Sequence, residues 1–164
     1  MMKTDRITLS LITSQDLPEV LDMFQEPDAF KYIKPLLGKT KEAYRDFLQL
    51  KIEQIESGAG YYWVVRDCIS MGLIGCINVT PIPNTDRTQI GWQICSAHQR
   101  KGYAFEAAKL AMDFVESSTA ITTVYAVYER DNIASEKIIH KLGFDFYETK
   151  MEENSSLKIY RRIL

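Results

Sequence analysis

The stretch from residue 88 to residue 115 changes its hydrophobic period across a single glycine turn, and this change limits the folds open to the chain. Residues 88–95 (Thr-Gln-Ile-Gly-Trp-Gln-Ile-Cys) are bounded by polar turns and rich in β-branched and aromatic types, which predicts a strand. After Gly102, apolar residues recur at helical steps, which predicts a helix packed on a sheet. The order is therefore strand, glycine turn, helix.

The turn at 97–102 (Ala-His-Gln-Arg-Lys-Gly) has the composition of an anion-binding site. The start of a helix leaves backbone N–H groups unpaired, and the helix dipole makes that end partly positive. Gly102 lets the backbone approach a ligand closely, and Arg100 and Lys101 are cations that can reach phosphate oxygens. An ordinary strand-to-helix turn with solvent-facing basic residues has the same composition, so the pattern needs independent support.

That support begins at Asn132, about thirty residues after the glycine. Asn132 lies where a helix cap is favoured, and Gly143 where a helix ends in a left-handed residue. With both motifs in this order, the chain resembles the GNAT N-acetyltransferase superfamily. The matching residues are Gln99-x-x-Gly102-x-Ala104, for the acetyl-CoA pyrophosphate motif, and Asn132 with Leu142-Gly143-Phe144, for the helix that follows.

Within the superfamily, two patterns are most similar to the ribosomal-protein N-terminal (alanine/serine) acetyltransferase branch. They are Gly102-Tyr-Ala-x-Glu-Ala107 and Asn132-x-x-Ser135. The resemblance implies an α+β fold, with a mixed, mostly antiparallel central sheet flanked by helices, in a single domain over residues 1–164. The hydrophobic pattern predicts the order β-α-α-β-β-β-α-β-α-β-β. Strands are predicted at 6–11, 61–66, 73–80, 88–95, 122–128, 144–151 and 157–163, and helices at 14–24, 40–57, 102–116 and from 132.

The resemblance also implies how acetyl-CoA would bind. Main-chain groups of Trp92, Gln93 and Ile94 would pair with the pantetheine arm as another strand would, and main-chain N–H groups from Arg100 to Phe105 would hold the pyrophosphate. Asn132 would bond to the cofactor arm, although a helix cap alone would also explain it. The expected cofactor-binding residues are Trp92, Gln93, Ile94, Gln99, Arg100, Lys101, Gly102, Tyr103, Ala104, Phe105 and Asn132.

The proton-transfer groups of the family are only partly present. Many members use a tyrosine seven residues after this asparagine as the general acid, and here that position is Ile139. Ser135 matches the serine of the ribosomal-protein branch and is the expected acid, unless its hydroxyl bonds its own helix backbone. Related enzymes often carry glutamate two residues before the glycine of the cofactor strand, where this chain has Gln89. Glu106 belongs to the matching motif, where a structural role and a catalytic one are both open.

A weak or water-mediated base favours an acceptor that loses its proton easily. The pKa of an α-amino group is about 8 and that of a lysine amine about 10.4. A protein N-terminal α-amine is therefore the expected acceptor. A small amine, such as a polyamine or an aminoglycoside, stays open, with Glu42, Asp46 and Glu53 available for an acidic pocket. A non-catalytic CoA-binding module of the same fold stays open as well, because residues 89 and 139 differ from the glutamate and tyrosine that many family members have at these positions.

The composition of the chain limits the binding partners and the cellular location that we expect for it. The net charge of −2 and a pI of about 5.7 argue against a broad nucleic-acid surface. No apolar run is long enough for a membrane span or signal segment, so we expect a cytoplasmic protein. The three cysteines lie at wide spacing without the pairing that metal sites use, so we expect no metal and no nucleophilic role for Cys95. Exposed sheet edges leave a homodimer open.

Overall fold

The computed structural model describes all 164 residues and contains one eight-stranded sheet with four α-helices. The strands are β1 (Met2–Lys3), β2 (Ile7–Leu11), β3 (Tyr61–Asp67), β4 (Leu73–Pro81), β5 (Thr88–Ile94), β6 (Thr123–Glu129), β7 (Asp145–Glu152) and β8 (Ser155–Ile163). The helices are α1 (Leu17–Phe24), α2 (Lys41–Glu56), α3 (Tyr103–Ser118) and α4 (Ile133–Lys141). The α+β fold and the order of elements agree with the prediction, except that the two-residue β1 was not anticipated.

The sheet is antiparallel everywhere except at one junction. The strand order is β1-β2-β3-β4-β5-β6-β8-β7, and only β5 and β6 run parallel. The strand β5 pairs with β4 along its whole length but with β6 at a single position, Gln89 opposite Tyr125. Beyond that pair β6 leaves β5, so the C-terminal half of β5 has a free edge inside the sheet.

Each face of the sheet carries its own hydrophobic cluster. Successive side chains of a strand point to opposite faces, and on β3 Trp63 and Val65 belong to one cluster while Tyr62 and Val64 belong to the other. The cluster that contains Trp63 includes residues of α3 and α4, and the second includes residues of α1 and α2. The helices therefore cover both faces, with α3 and α4 together on the face that carries the glycine turn.

Helix ends follow the capping residues of the sequence. Thr40 caps α2 by accepting the Ala43 N–H at 3.1 Å, and Gly58 follows the end of that helix with a φ of 75°. Gly143 follows α4 with a φ of 80°. None of the helices has the length and apolar character that crossing a membrane requires.

Candidate active site

A cavity of about 1070 Å³ lies beside the free edge of β5. Its walls are the end of β5, the glycine turn with the first residues of α3, the helix α4, and the segment 26–33. Of the twelve site residues expected from the sequence, only Lys101 does not line it. The eleven that do are Trp92, Gln93, Ile94, Gln99, Arg100, Gly102, Tyr103, Ala104, Phe105, Asn132 and Ser135.

The hydrogen-bond pattern between β4 and β5 determines which main-chain groups face the cavity. At one end the Ile82 N–H donates to the Arg87 carbonyl at 2.8 Å, and at the other the Cys95 N–H donates to the Ile74 carbonyl at 2.8 Å. In an antiparallel pair, hydrogen-bonded and non-hydrogen-bonded positions alternate. Both ends place the odd-numbered residues of β5 in the hydrogen-bonded positions, so the even-numbered ones point away from β4.

The expected main-chain contacts are therefore divided between the two edges of β5. Trp92 and Ile94 direct their main-chain groups away from β4, toward the cavity, past the last pairing with β6. The main-chain groups of Gln93 face Cys76 of β4, which corrects the expectation that Gln93 would also present its backbone to a ligand. Its side chain lines the cavity instead and donates to the Ala29 carbonyl at 3.1 Å.

The turn before α3 is held in an unusual backbone conformation. Arg100 has a φ of 63° and Gly102 one of 84°, and α3 starts at the next residue. The Glu106 N–H donates to the Gly102 carbonyl at 3.1 Å, so the amides of the intervening residues lack an acceptor within the helix. Gln99 fixes the start of the turn, because its side-chain amide donates to the Ile94 carbonyl at 3.1 Å. The helix start is thus open to an anion.

Basic side chains cluster at this end of the cavity. Arg100, Lys137 and Lys141 line the cavity, and none of them forms an ion pair within the chain. The Lys141 ammonium lies 4.1 Å from the centroid of the Phe105 ring and so connects α4 to the first turn of α3. Lys101 is exposed outside the cavity, so its side chain does not join this cluster, contrary to expectation.

Two carboxylates line the wall formed by residues 26–33. The Glu26 carboxylate accepts the Ser96 hydroxyl at 2.5 Å and the Ser96 N–H at 3.3 Å, which ties this segment to the end of β5. Asp28 lines the same wall in a positive-φ conformation, with Lys31 close by in sequence. The cavity therefore has a purely basic end at α3 and α4 and a mixed end that carries acids.

Asn132 and Ser135 face the cavity from the start of α4. The Asn132 side-chain oxygen accepts the Ser135 N–H at 3.2 Å, while its amide nitrogen has no partner in the chain. The half-buried Ser135 hydroxyl does not bond its own helix, unlike Ser117 in α3, which donates to the Asp113 carbonyl at 2.8 Å. Asn132 thus caps the helix and still has a free donor, and the Ser135 hydroxyl is available to a ligand.

Four other residues of this region lie outside the cavity or contact other side chains. Ile139 is buried in the core, and His140 contacts the Tyr160 hydroxyl at 3.1 Å outside the cavity. His98 is half-buried in the cavity wall, with its ring 6.0 Å from that of Tyr103. Glu106 forms an ion pair with Arg6, which favours a structural role for this residue over a catalytic one. Neither histidine forms a hydrogen bond with a side chain that lines the cavity.

The pKa of the Cys95 thiol argues against a nucleophilic role for this residue. Burial, with a smaller contribution from the Glu26 carboxylate, raises the pKa of the Cys95 thiol to about 11. A thiol with such a pKa is protonated at neutral pH, and the thiolate is the reactive form.

Sequence reasoning missed the residues that meet across long chain distances. Glu26, Asp28, Lys31 and Tyr32 line the cavity from a segment with no recognised motif. Lys137 was overlooked although it is one helical turn from Lys141 on the same face of α4. That spacing could have revealed the pair of lysines, whereas nothing local reveals the Glu26 contact, which spans 70 residues.

Comparison with known proteins gives one family. The model of the acetyltransferase (GNAT) domain matches residues 6–145. The protein named as the uncharacterized N-acetyltransferase YoaA of Bacillus subtilis (strain 168) is 26% identical over 144 residues, which cover 87% of this chain and 81% of that protein.

Two solved structures share the fold. One is the Salmonella typhimurium acetyltransferase that modifies the N-terminal serine of ribosomal protein L7/L12, with a TM-score of 0.84, 14% identity, and coverage of 98% of this chain and 96% of that one. The other is spermidine N-acetyltransferase from Vibrio cholerae in complex with CoA and spermine, with a TM-score of 0.83, 18% identity and the same two coverages. At these identities the likeness extends to the fold alone.

Proposed function

The chain belongs to the GNAT acetyltransferase family and is an acyltransferase, and we propose that it moves the acetyl group of acetyl-CoA to a protein N-terminal α-amine. One observation carries this proposal: a single cavity joins the free edge of β5 to the open helix start at Gly102. A ligand with an amide-containing arm at one end and phosphates at the other matches these two features. The unpaired cations Arg100, Lys137 and Lys141 support the anionic end.

Different residues of the cavity contribute to different parts of the reaction. Acetyl-CoA supplies an acyl group already activated as a thioester, so positioning provides much of the rate enhancement. The main-chain N–H groups of Trp92 and Ile94 lie two residues apart on the free edge of β5, so one of them would donate to the thioester carbonyl oxygen as negative charge develops there, and the other to the arm. The amides at the start of α3 hold the diphosphate, and the free amide nitrogen of Asn132 donates to the arm between them.

Proton transfer to the leaving group is assigned to Ser135. As the neutral amine attacks and the carbon–sulfur bond breaks, the Ser135 hydroxyl gives its proton to the departing sulfur and recovers one from solvent or from the attacking nitrogen, which is positively charged in the tetrahedral intermediate and loses a proton to become the amide. Support comes from its place in the cavity wall and from its lack of a hydrogen bond to the helix. Ile139 cannot serve, since it has no ionisable group and is buried in the core.

The acceptor is inferred from the weakness of the available base. Glu106 is held by Arg6 and Thr4, and Gln89 cannot take a proton. Deprotonating an amine costs about 1.4 kcal/mol for each pKa unit above the working pH, so an α-amine needs about 3 kcal/mol less help than a lysine amine. A water-mediated base is enough for an α-amine, which favours a protein N-terminus as the acceptor.

A polyamine is the second candidate acceptor, favoured by the carboxylates of Glu26 and Asp28 in the cavity wall. Carboxylates attract the ammonium groups of such a molecule, and a protein of the same fold has been solved with CoA and spermine. The three acids suggested by the sequence cannot play this part, because Glu42, Asp46 and Glu53 are exposed on α2 and do not line the cavity.

Thermal unfolding tests cofactor binding. Acetyl-CoA should raise the unfolding temperature of the wild-type protein, because a ligand that binds only the folded state stabilises it, whereas ATP and NAD should have smaller effects. The shift should disappear in Gly102→Glu. The matched control is Gly38→Glu, since Gly38 has a comparable φ of 70° but lies outside the cavity. A shift that survives in Gly102→Glu would contradict the assigned phosphate site.

Thiol release tests the reaction and separates the acceptors. We expect turnover with peptides that have a free N-terminus and little with the same peptides after N-terminal acetylation. Preferential turnover of spermidine would favour the second candidate. Binding of acetyl-CoA without thiol release from any amine would instead indicate the non-catalytic CoA-binding module.

A further inference from the structure

The Arg6 side chain reaches from the start of β2 to the turn that precedes α3. Its Nη1 donates to the Lys101 carbonyl at 3.1 Å, which is the carbonyl immediately before Gly102. Its guanidinium carbon lies 4.3 Å from the centroid of the Tyr103 ring. Arg6 therefore contacts the residues on both sides of the glycine, although it does not line the cavity.

The guanidinium of Arg6 is held in turn by Glu106. The Arg6 Nε and Nη2 atoms donate to Glu106 Oε2 at 2.8 and 2.5 Å, and the Thr4 hydroxyl donates to the other carboxylate oxygen, Oε1. Thr4 Oγ1 also accepts the main-chain N–H groups of Arg6 and Ile7, each at 3.2 Å. The group Thr4, Arg6 and Glu106, here called the clamp, joins the first turn of the chain to the first turn of α3.

The contacts of the clamp are better explained by a role in positioning the turn before α3 than by a contribution to folding stability. The side chain of Arg6 is 45% exposed, and ion pairs as exposed as this contribute little to folding. The turn it contacts has two residues in the left-handed region, Arg100 and Gly102, and no strand partner to hold it. A donor aimed at the Lys101 carbonyl fixes the peptide planes on which the direction of the following amides depends.

We propose that Arg6 is a positioning residue that orients the amides of residues 101–105 toward the diphosphate of coenzyme A, with Glu106 and Thr4 holding its guanidinium. The proposal rests on the proposed function for its ligand, and Arg6 acts through the main chain without touching that ligand. Because only the diphosphate end depends on these amides, the clamp should affect the binding of acetyl-CoA but not of a thioester that lacks the nucleotide.

The test compares two thioesters in the variant Arg6→Met, by kcat/KM and by calorimetric Kd. Acetyl-CoA should bind about ten-fold more weakly than to the wild type, whereas S-acetyl-pantetheine, which lacks the diphosphate, should be unaffected. Arg87→Met is the matched control, since Arg87 has an equivalent ion pair with Glu148 at 3.2 Å and ring contacts with Tyr125 and Tyr147 far from the turn. Equal losses for both thioesters, or none for acetyl-CoA, would overturn the proposal.

Milder substitutions of the same contacts distinguish a loss of turn orientation from a loss of folding. Glu106→Gln should show the same selective loss to a smaller extent, because an amide still accepts hydrogen bonds from Arg6 but removes the charge. Arg6→Lys should recover part of the affinity, since an ammonium can reach one of the two acceptors but not both. A selective loss in Glu106→Gln supports the clamp even if Arg6→Met does not fold.

Amide hydrogen exchange without ligand makes the outcome independent of the proposed function. The Glu106 amide, which donates to the Gly102 carbonyl, is protected in the wild type, and its exchange should accelerate in Arg6→Met and not in Arg87→Met. Unchanged exchange would overturn the proposal. A wild-type protein that binds neither thioester would overturn the proposed function, and the exchange result would still decide whether Arg6 holds the turn.

Discussion

The Ser135 N–H donates to the side-chain oxygen of Asn132 at 3.2 Å, and both residues line the same cavity. The spacing of three residues is that of a helix cap to its third helical position. One bond therefore closes the start of α4, points the free amide nitrogen of Asn132 away from the helix backbone, and sets the Ser135 hydroxyl in the first turn. Helix capping and ligand contact are compatible at this position, so the two explanations offered for Asn132 do not compete.

Replacement of Ser135 by alanine should reduce turnover with little effect on folding. Loss of a general acid typically costs about 100-fold or more in kcat, whereas the affinity for acetyl-CoA should stay unchanged because the hydroxyl acts on the leaving sulfur. Steady-state kinetics with calorimetry on the same samples would measure both. Ser117→Ala in α3 is the matched control. Wild-type kcat in Ser135→Ala would remove the serine from the mechanism.

Replacement of Asn132 by aspartate should separate its two roles. Aspartate caps helices as well as asparagine and suits the positive end of the dipole, so urea unfolding should be nearly unchanged. The variant lacks the free amide donor, so the KM for acetyl-CoA should rise about ten-fold. Asn132→Ala should show both effects, with a loss of about 1 kcal/mol in stability. A wild-type KM in Asn132→Asp would leave the residue with the cap alone.

Much of the site could be predicted because its determinants are local. The change of period at Gly102, the cap at Asn132 and the glycine that ends α4 act over a few residues, and each appears at its expected place. The sequence could not reveal which edge of β5 faces the cavity, because that depends on its register with β4. The same pairing explains why Gln93 contributes a side chain and not its backbone.

The contacts that escaped prediction join distant parts of the chain. Glu26 meets Ser96 across 70 residues, and Arg6 meets Glu106 across 100. A carboxylate in a loop and an arginine beside a strand have no periodicity that marks them, so their roles emerge only when the sheet brings them together. The strand β1 was missed because two residues are too few to show an alternation.

The reactivity of Cys95 should depend on pH in a predictable direction. With a raised pKa of about 11, the native thiol should react with iodoacetamide at pH 8 about 100-fold more slowly than the unfolded thiol, as measured by site-resolved mass spectrometry. Between the unfolded pKa of about 8.5 and the native value of about 11, the unfolded state loses its proton first, so this thiol lowers folding stability as pH rises. Cys95→Ser should weaken that dependence. Rapid alkylation of native Cys95 at pH 8 would contradict the burial argument.

Amide exchange along β5 should distinguish its two edges. In the ligand-free protein the Gln93 N–H bonds β4 and should exchange slowly, whereas the N–H groups of Trp92 and Ile94 face the cavity and should exchange quickly. Saturating acetyl-CoA should slow the two fast amides, because its arm supplies the acceptors that β6 does not. ADP is the matched ligand control, since it has the diphosphate but no pantetheine arm and should leave both amides fast. Slow exchange of Trp92 and Ile94 without ligand would mean that the edge is already paired, and acetyl-CoA could then not bind as an additional strand.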